Sequence, residues 1–191
     1  RGRYQPAMQR VRDGSRPWVR LDVLHRENLD ATLAEFGVAD RLDEAARRAL
    51  NLAWHRLDPW PEAIAGLARL KTRYLITPLS NGNLSLLTHL SKRAGLPWDC
   101  VLSAEVFRAY KPDPRAYLGV ADTFDLAPPQ VALVAAHAGD LRAAAGAGLR
   151  TAYVDRPLEF GAGRLGDVPR GGERFDLHAR GFDDLADRLG C

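Results

Sequence analysis

The stretch Tyr74-Leu75-Ile76-Thr77-Pro78-Leu79-Ser80-Asn81-Gly82-Asn83 decides the fold of this chain. It predicts a short apolar strand over residues 74–79 that stops in a hydroxyl, an amide and a glycine. A helix is predicted directly after it, because leucine and alanine recur at helical spacing up to Gly95. Strand, polar turn and helix form the unit of an open α/β sheet, in which ligands bind at the carboxyl ends of strands. Ser80 and Asn81 are therefore the first candidate site residues.

Strands and helices alternate after this stretch. Short strands are predicted at 101–102, 131–136 and 151–154 and near Leu177, with helices starting at Pro114, near Asp140 and at Phe182. Asp113 is predicted to cap the helix that begins at Pro114. Such alternation predicts a parallel, doubly wound sheet.

The residues before this stretch are predicted to be helical up to about residue 58. Apolar residues at helical spacing predict helices near 4–12, 21–36 and 42–57, with Ala45 and Ala49 facing inward in the third. Asp22 is interpreted as an N-cap. Two prolines within Asp58-Pro59-Trp60-Pro61 predict a rigid boundary. We therefore predict a helical domain over residues 1–60 and an α/β core over residues 61–191.

Composition limits the function classes. The 191 residues are 46% hydrophobic and 27% charged, which suits one globular unit with its own core. The net charge of +3 comes from arginines scattered among acids, so we expect no nucleic-acid partner. No apolar run reaches bilayer length, so no membrane association is expected. Cys100 and Cys191 are far apart in the sequence, which favours a reducing, cytoplasmic location.

Polar residues follow three predicted strands, and in a parallel sheet these strand ends can converge on one pocket. They are Ser80-Asn81, Tyr110-Lys111-Pro112 and His137-Ala138-Gly139-Asp140. Lys111 is notable because only three of the 27 basic residues are lysine, and a compact ammonium can hold nearby carboxylates ionised. Asp140 has two open interpretations, a site carboxylate or only the N-cap of the following helix.

Three motifs in this order resemble those of the haloacid dehalogenase superfamily, and more narrowly the type II 2-haloacid dehalogenases. They are Leu79-Ser80-Asn81-Gly82-Asn83, Ala109-Tyr110-Lys111-Pro112-Asp113 and Val134-Ala135-Ala136-His137-x-x-Asp140-Leu141. The first third of the chain resembles the helical cap of that family, including Arg1-x-x-Tyr4-Gln5-Pro6-Ala7-Met8. The resemblance implies a three-layer, Rossmann-like core with a parallel sheet, plus a helical cap.

The resemblance also implies an activity, the hydrolysis of short 2-haloalkanoic acids to 2-hydroxy acids through an aspartyl ester. It implies catalytic roles for Ser80, Lys111 and Asp140. It implies substrate-binding or halide-binding roles for four further residues: Arg1, Asn81, Tyr117 and His137. No cofactor and no metal are expected, the partner is a small 2-haloacid, and a homodimer is suggested.

The chain departs from the family pattern in one major respect. The strand that ends in the attacking aspartate is absent from these 191 residues, and the charged segment around Asp22 is not predicted to replace it. We therefore expect the chain alone to be inactive, either as a fragment of a longer enzyme or as a truncated interaction module. His137, Ala138 and Gly139 also differ from some relatives, which bears on the substrate range.

A magnesium-dependent phosphatase of the same superfamily is the alternative enzyme class. Those enzymes typically carry Gly-Asp-x-x-x-Asp at this strand end, which gives two carboxylates to a cation that prefers oxygen ligands. Here Ala136 stands four residues before Asp140, so one carboxylate is lost and the dehalogenase interpretation is favoured. The other histidines are interpreted as scattered surface or core residues: His25, His55, His89 and His178.

Overall fold

The computed structural model describes residues 2–164 and 166–191. The helices are α1 (Tyr4–Arg12), α2 (Leu21–Glu35), α3 (Glu44–Asn51), α4 (Ala63–Lys71), α5 (Leu84–Ala94), α6 (Ala104–Phe107), α7 (Pro114–Thr123), α8 (Ala138–Gly146) and α9 (Phe182–Arg188). The strands are β1 (Leu79–Ser80), β2 (Leu102–Ser103), β3 (Ala132–Ala135), β4 (Arg150–Val154) and β5 (Leu177–Ala179). Three 3₁₀ turns cover Ala39–Arg41, Leu52–Arg56 and Pro128–Gln130. Within the described ranges, no helix has the length and apolarity needed to cross a bilayer.

The first two predicted N-terminal helices are confirmed, whereas the third, predicted over 42–57, is α3 followed by the Leu52–Arg56 turn, and the packing of α3 was predicted wrongly. Ala45 and Ala49 are exposed rather than inward. Arg47 faces α2 instead, and its guanidinium donates to the carboxylate of Asp30 at 3.0 Å. Helix α3 therefore meets α2 through an ion pair and not through an alanine stripe.

All strand pairs are parallel, as predicted. Strand β1 pairs with β2, and separately β3 pairs with β4 and β4 with β5. Strand β1 is shorter than predicted, because the Ile76 N–H donates to the Asp99 carboxylate at 2.8 Å and Pro78 has no N–H to donate. The strand prediction is therefore correct only at Leu79.

Helices cover both faces of the β3–β5 sheet. Alternate residues of a strand face opposite sides, so Ala152 and Val154 pack with α4 and α9, while Tyr153 packs in the cluster that holds α7 and α8. The result is a three-layer α/β arrangement.

The N-terminal helices pack against the segment that leads to Lys111. Ala7, Met8, Leu21 and Leu24 form one buried cluster with Ala104 and Tyr110. The Tyr110 hydroxyl donates to the carbonyl of Val19 at 2.8 Å, which anchors the N-terminal helices to this segment. The predicted division between residues 60 and 61 stays a prediction.

Candidate active site

The carboxyl end of β1 is joined to the segment that carries Lys111. Ser80 ends β1, and its Oγ accepts a hydrogen bond from the Gly82 N–H at 3.0 Å, which tightens the turn before α5. The Asn81 side-chain oxygen accepts the backbone N–H of Lys111 at 2.8 Å. The predicted polar segments around Asn81 and Lys111 therefore lie side by side, but the prediction that Lys111 follows a strand was wrong, because α6 lies between β2 and Lys111.

The third strand end joins them through Asp140. The Lys111 ammonium donates to Asp140 Oδ2, and the Tyr117 hydroxyl donates to Asp140 Oδ1 at 2.6 Å. The Lys111 and Asp140 side chains are only 15% and 17% exposed. Burial, and then the negative charge of Asp140, raises the pKa of Tyr117 well above its usual range, so the phenol stays a donor. The capping interpretation of Asp140 was wrong, since its carboxylate is held by these two side chains and His137 occupies the N-cap position of α8.

This network leaves donors of Lys111 available. An ammonium has three N–H groups, and one of them is used by Asp140. The other two can hold a second carboxylate at the same place. Among the residues that the structure describes, no group of three or more His, Cys, Asp or Glu side chains is arranged to hold a metal ion.

His137 lies at the same strand end but has a separate partner. Its Nε2 is 2.9 Å and 3.1 Å from the two carboxylate oxygens of Glu159, and its ring lies beside that of Phe160. A carboxylate can only accept, so Nε2 carries the proton and the neutral ring keeps its lone pair on Nδ1. No sequence pattern pointed to Glu159, which lies 22 residues downstream in an irregular loop.

The first backbone N–H groups of α8 are also occupied. The Ala138 N–H donates to the Asp167 carbonyl at 2.7 Å, and the Gly139 N–H donates to the Asp167 carboxylate at 2.6 Å. A Cβ at position 139 would lie 2.6 Å from that carboxylate oxygen, so only glycine permits this close approach. The loop between β4 and β5 therefore covers the turn that bears His137 and Asp140.

The predicted substrate-binding residue Arg1 lies outside the described residues. Another arginine of the first helix reaches this region, since the Arg12 guanidinium donates to the carbonyl of Lys111 at 3.3 Å. Helix α1 therefore contacts the segment that carries the candidate lysine.

Sequence reasoning missed a second polar cluster, built around Asp22. The Asp22 carboxylate accepts from His55 Nε2, at 3.0 Å and 3.1 Å, and from the Asn83 amide at 2.9 Å. The N-cap interpretation of Asp22 was wrong, because this carboxylate caps no helix and points to α5 and the Leu52–Arg56 turn. His55 and His89, predicted only as scattered surface or core residues, have their Nδ1 atoms 2.9 Å apart, and His55 is buried. Asp22 and His55 are 33 positions apart in the sequence, and His55 and His89 are 34 apart. Separations of this length follow no helix or strand period, so no sequence pattern predicts the cluster.

Comparison with known proteins gives consistent matches. The sequence profile of the haloacid dehalogenase-like hydrolases matches residues 3–148. The chain is 34% identical over 143 residues to (S)-2-haloacid dehalogenase 1 of Pseudomonas sp. (strain CBS-3), a match that covers 72% of this chain and 62% of that protein. It is 33% identical over 133 residues to (S)-2-haloacid dehalogenase 4A of Burkholderia cepacia, a match that covers 68% of this chain and 57% of that protein. The chain thus spans less than two thirds of these curated relatives.

A solved structure matches more of the chain. The crystal structure of the L-2-haloacid dehalogenase PA0810 superimposes with a TM-score of 0.94 at 47% identity, covering 99% of this chain and 80% of that one.

Proposed function

Because this chain belongs to the family of haloacid dehalogenase-like hydrolases, we propose that the whole protein hydrolyses short 2-haloalkanoic acids to 2-hydroxy acids. The observation that carries the proposal is the hydrogen-bonded network of Asn81, Lys111, Asp140 and the buried Tyr117 near the ends of β1 and β3. The matched relatives are named as 2-haloacid dehalogenases, which supports this substrate class.

The proposed reaction has two steps. A carboxylate attacks C2 of the substrate, so that a carbon–oxygen bond forms while the carbon–halogen bond breaks and its electron pair leaves with the halide. Water then adds to the ester carbonyl and gives up a proton. The acyl–oxygen bond breaks, the departing oxygen on C2 takes up a proton to give the 2-hydroxy acid, and the carboxylate is restored. Asp22 does not fit the attacking role, because its carboxylate is engaged by His55 and Asn83.

Lys111 and Asp140 are proposed to act on the two steps differently. The free N–H groups of Lys111 keep the attacking carboxylate ionised and close to the substrate. Asp140, oriented by Lys111 and Tyr117, accepts the proton of the hydrolytic water. Ser80 and Asn81 lie beside Lys111 and are proposed to bind the substrate carboxylate and the departing halide.

His137 is proposed to border the same pocket. The contact between Nε2 and Glu159 sets the orientation of the ring, and therefore the direction in which Nδ1 points. The imidazole would contact the substrate or the halide. Arg1 keeps its proposed role as a cation for the substrate carboxylate and the leaving halide.

A reaction without a metal ion is part of the proposal. A hard divalent cation favours several carboxylates at one point, but Ala136 stands where the second acid of a phosphatase would be. The cation at this place is the Lys111 ammonium. This residue pattern supports displacement at carbon rather than phosphoryl transfer.

Three broader features are also proposed. Residues 1–60 form a cap and residues 61–191 a core, supported by the Pro59 and Pro61 boundary and by the helix-only N-terminal part. The two free cysteines support a cytoplasmic location. The family resemblance suggests a homodimer, which sedimentation analysis would test.

The decisive experiment compares two substrates. The protein is expressed from its whole reading frame and incubated with 2-chloropropionate, and separately with p-nitrophenyl phosphate and Mg²⁺. We expect chloride release that is unaffected by a chelator, and no phosphate release above background. Metal-dependent phosphate release without chloride release would contradict the proposal.

A further inference from the structure

A basic cleft lies between the Leu52–Arg56 turn and α5, on the α5 side of Asp22. Its volume is about 340 Å³. We call it the basic cleft, and its lining residues are Leu52, His55, Arg56, His89 and Arg93. Every polar lining residue is basic and no carboxylate lines it, although most arginines of the described chain are paired with acids.

A hydrogen-bonded chain fixes the protons at the inner wall of the cleft. His55 is only 4% exposed, and the Asp22 carboxylate next to it can only accept, so His55 Nε2 carries a proton. In neutral His55, Nδ1 is therefore an acceptor, and the N–H that it accepts belongs to Nδ1 of His89. The lone pair of neutral His89 is left on Nε2.

The nitrogen of His89 that remains for a ligand is Nε2, because its Nδ1 is engaged by His55. An N–H at Nε2 can donate to an oxyanion without disturbing the contact between the two rings.

The two arginines of the cleft keep donors available. The Arg56 guanidinium donates to the carbonyl of Ala49 at 3.0 Å, and no carboxylate of the described residues lies within ion-pair distance of it. Arg93 pairs with Asp58 at 2.9 Å, but the Asp58 side chain is 80% exposed, and ion pairs this exposed contribute little. Each guanidinium can bind an anion through two parallel N–H groups.

We propose that the basic cleft binds a small oxyanion, with Arg56 and Arg93 as the primary donors and His89 as the third. Two guanidinium groups and an imidazole match the several oxygens of a phosphate, a sulfate or a short carboxylate. Such an anion bridges the Leu52–Arg56 turn and α5. The site shares no residue with the Lys111 network, so the inference is independent of the proposed function.

The test is a binding titration on the ¹⁵N-labelled protein, expressed from its whole reading frame. Inorganic phosphate is added at constant ionic strength, with chloride as the balancing anion, while the ring signals of His89 and the side-chain signals of Arg56 and Arg93 are followed. We expect saturable shifts at these residues. The Arg56→Gln/Arg93→Gln double variant should bind at least tenfold more weakly, whereas Lys92→Gln, on the same helix as Arg93, should bind like the wild type.

A parallel titration with acetate identifies the source of the oxygens. Saturable binding of either anion that is lost in the double variant supports the site. The anion with the lower Kd shows whether a phosphate-like anion or a carboxylate is preferred. Shifts that rise without saturation, that appear equally with chloride alone, or that persist in the double variant would overturn the proposal. Circular dichroism of each variant separates lost binding from lost folding.

Discussion

At the scale of the residue, the surroundings of a titratable side chain determine which of its charge states is stable. His25 lies on α2, stacked on Trp54 with ring centroids 5.1 Å apart, and its Nδ1 is buried with no hydrogen-bond partner in the described structure. Burial lowers the pKa of His25 from 6.5, an effect increased by His55 and opposed by Asp22. The folded protein therefore disfavours the protonated ring.

This lowered pKa predicts a loss of stability in mild acid. Below about pH 6.5 the unfolded chain protonates His25 while the folded chain does not, so the free energy of unfolding falls as the pH falls, until the lowered folded pKa is reached. His25→Phe removes this dependence and the unpartnered nitrogen. It should raise the free energy of unfolding at pH 5 by about 1 kcal/mol, measured by urea denaturation.

The matched variant His25→Gln separates the two effects. It removes the titration but keeps a buried polar group, so it should flatten the pH dependence without a gain at pH 8. An unchanged slope between pH 5 and pH 7 in both variants would show that His25 does not titrate in this way.

Residue types predicted part of the site, and the reason is local. Ser80 ends β1, Asn81 follows it and Asp140 follows β3, and parallel strands bring such ends together, whereas Lys111 follows the short helix α6. Tyr117 was inferred from the family resemblance, and the structure places its hydroxyl on Asp140. The roles of these residues stay predictions.

The rest of the site depends on contacts that carry no local pattern. Glu159 reaches His137 from an irregular loop, and Asp22 reaches His55 and Asn83 across two helices. An aspartate at the start of a helix is most often an N-cap, so the sequence pattern predicted a capping role for Asp22. Its actual partners are His55 and Asn83. Only the tertiary packing shows which acid meets which base.

At the scale of the element, backbone approach decides how α4 and α9 pack. Gly66 of α4 faces α9, and a Cβ at this position would lie 2.4 Å from the Phe182 Cβ and 2.7 Å from the Phe182 carbonyl carbon. The atoms of α9 at this contact include backbone atoms of Phe182, which cannot move aside by a side-chain rotation. Glycine is therefore required by packing, although it lowers the helix propensity of α4.

Two alanine substitutions compare this tightly packed glycine with one that has open space around it. Gly66→Ala should lower the free energy of unfolding by about 1–3 kcal/mol, because α9 must move. Gly146→Ala, in α8, meets no atom within 4 Å and should raise it by about 0.5 kcal/mol. Urea denaturation of both variants measures the difference. A Gly66→Ala protein as stable as the wild type would contradict the close packing.

Element types were predicted more reliably than element limits. The helices and parallel strands follow from apolar spacing, whereas β1 begins later than predicted because Asp99 accepts the Ile76 N–H. Side-chain competition of this kind is invisible to periodicity. The same limit applies to α3, whose contact with α2 depends on Arg47 and not on its alanines.

At the scale of the whole molecule, the fold brings polar ends of separate strands to one place. Strands β1 and β3 belong to different paired sets, yet Lys111 links Asn81, after β1, to Asp140, after β3. The N-terminal helices reach the same segment through Tyr110 and Arg12. We therefore infer that the proposed dehalogenation depends on Lys111 as its cation.

Halide release by a Lys111 variant tests the dependence of the reaction on this ammonium group. Chloride release from 2-chloropropionate is measured for Lys111→Met and for Lys92→Met, each expressed from the whole reading frame and shown by circular dichroism to be folded. We expect Lys111→Met to lower the rate by about 10²–10³-fold, the loss typical of one essential donor, and Lys92→Met to stay within about twofold of the wild type. A folded Lys111→Met protein that releases chloride at the wild-type rate would contradict this dependence.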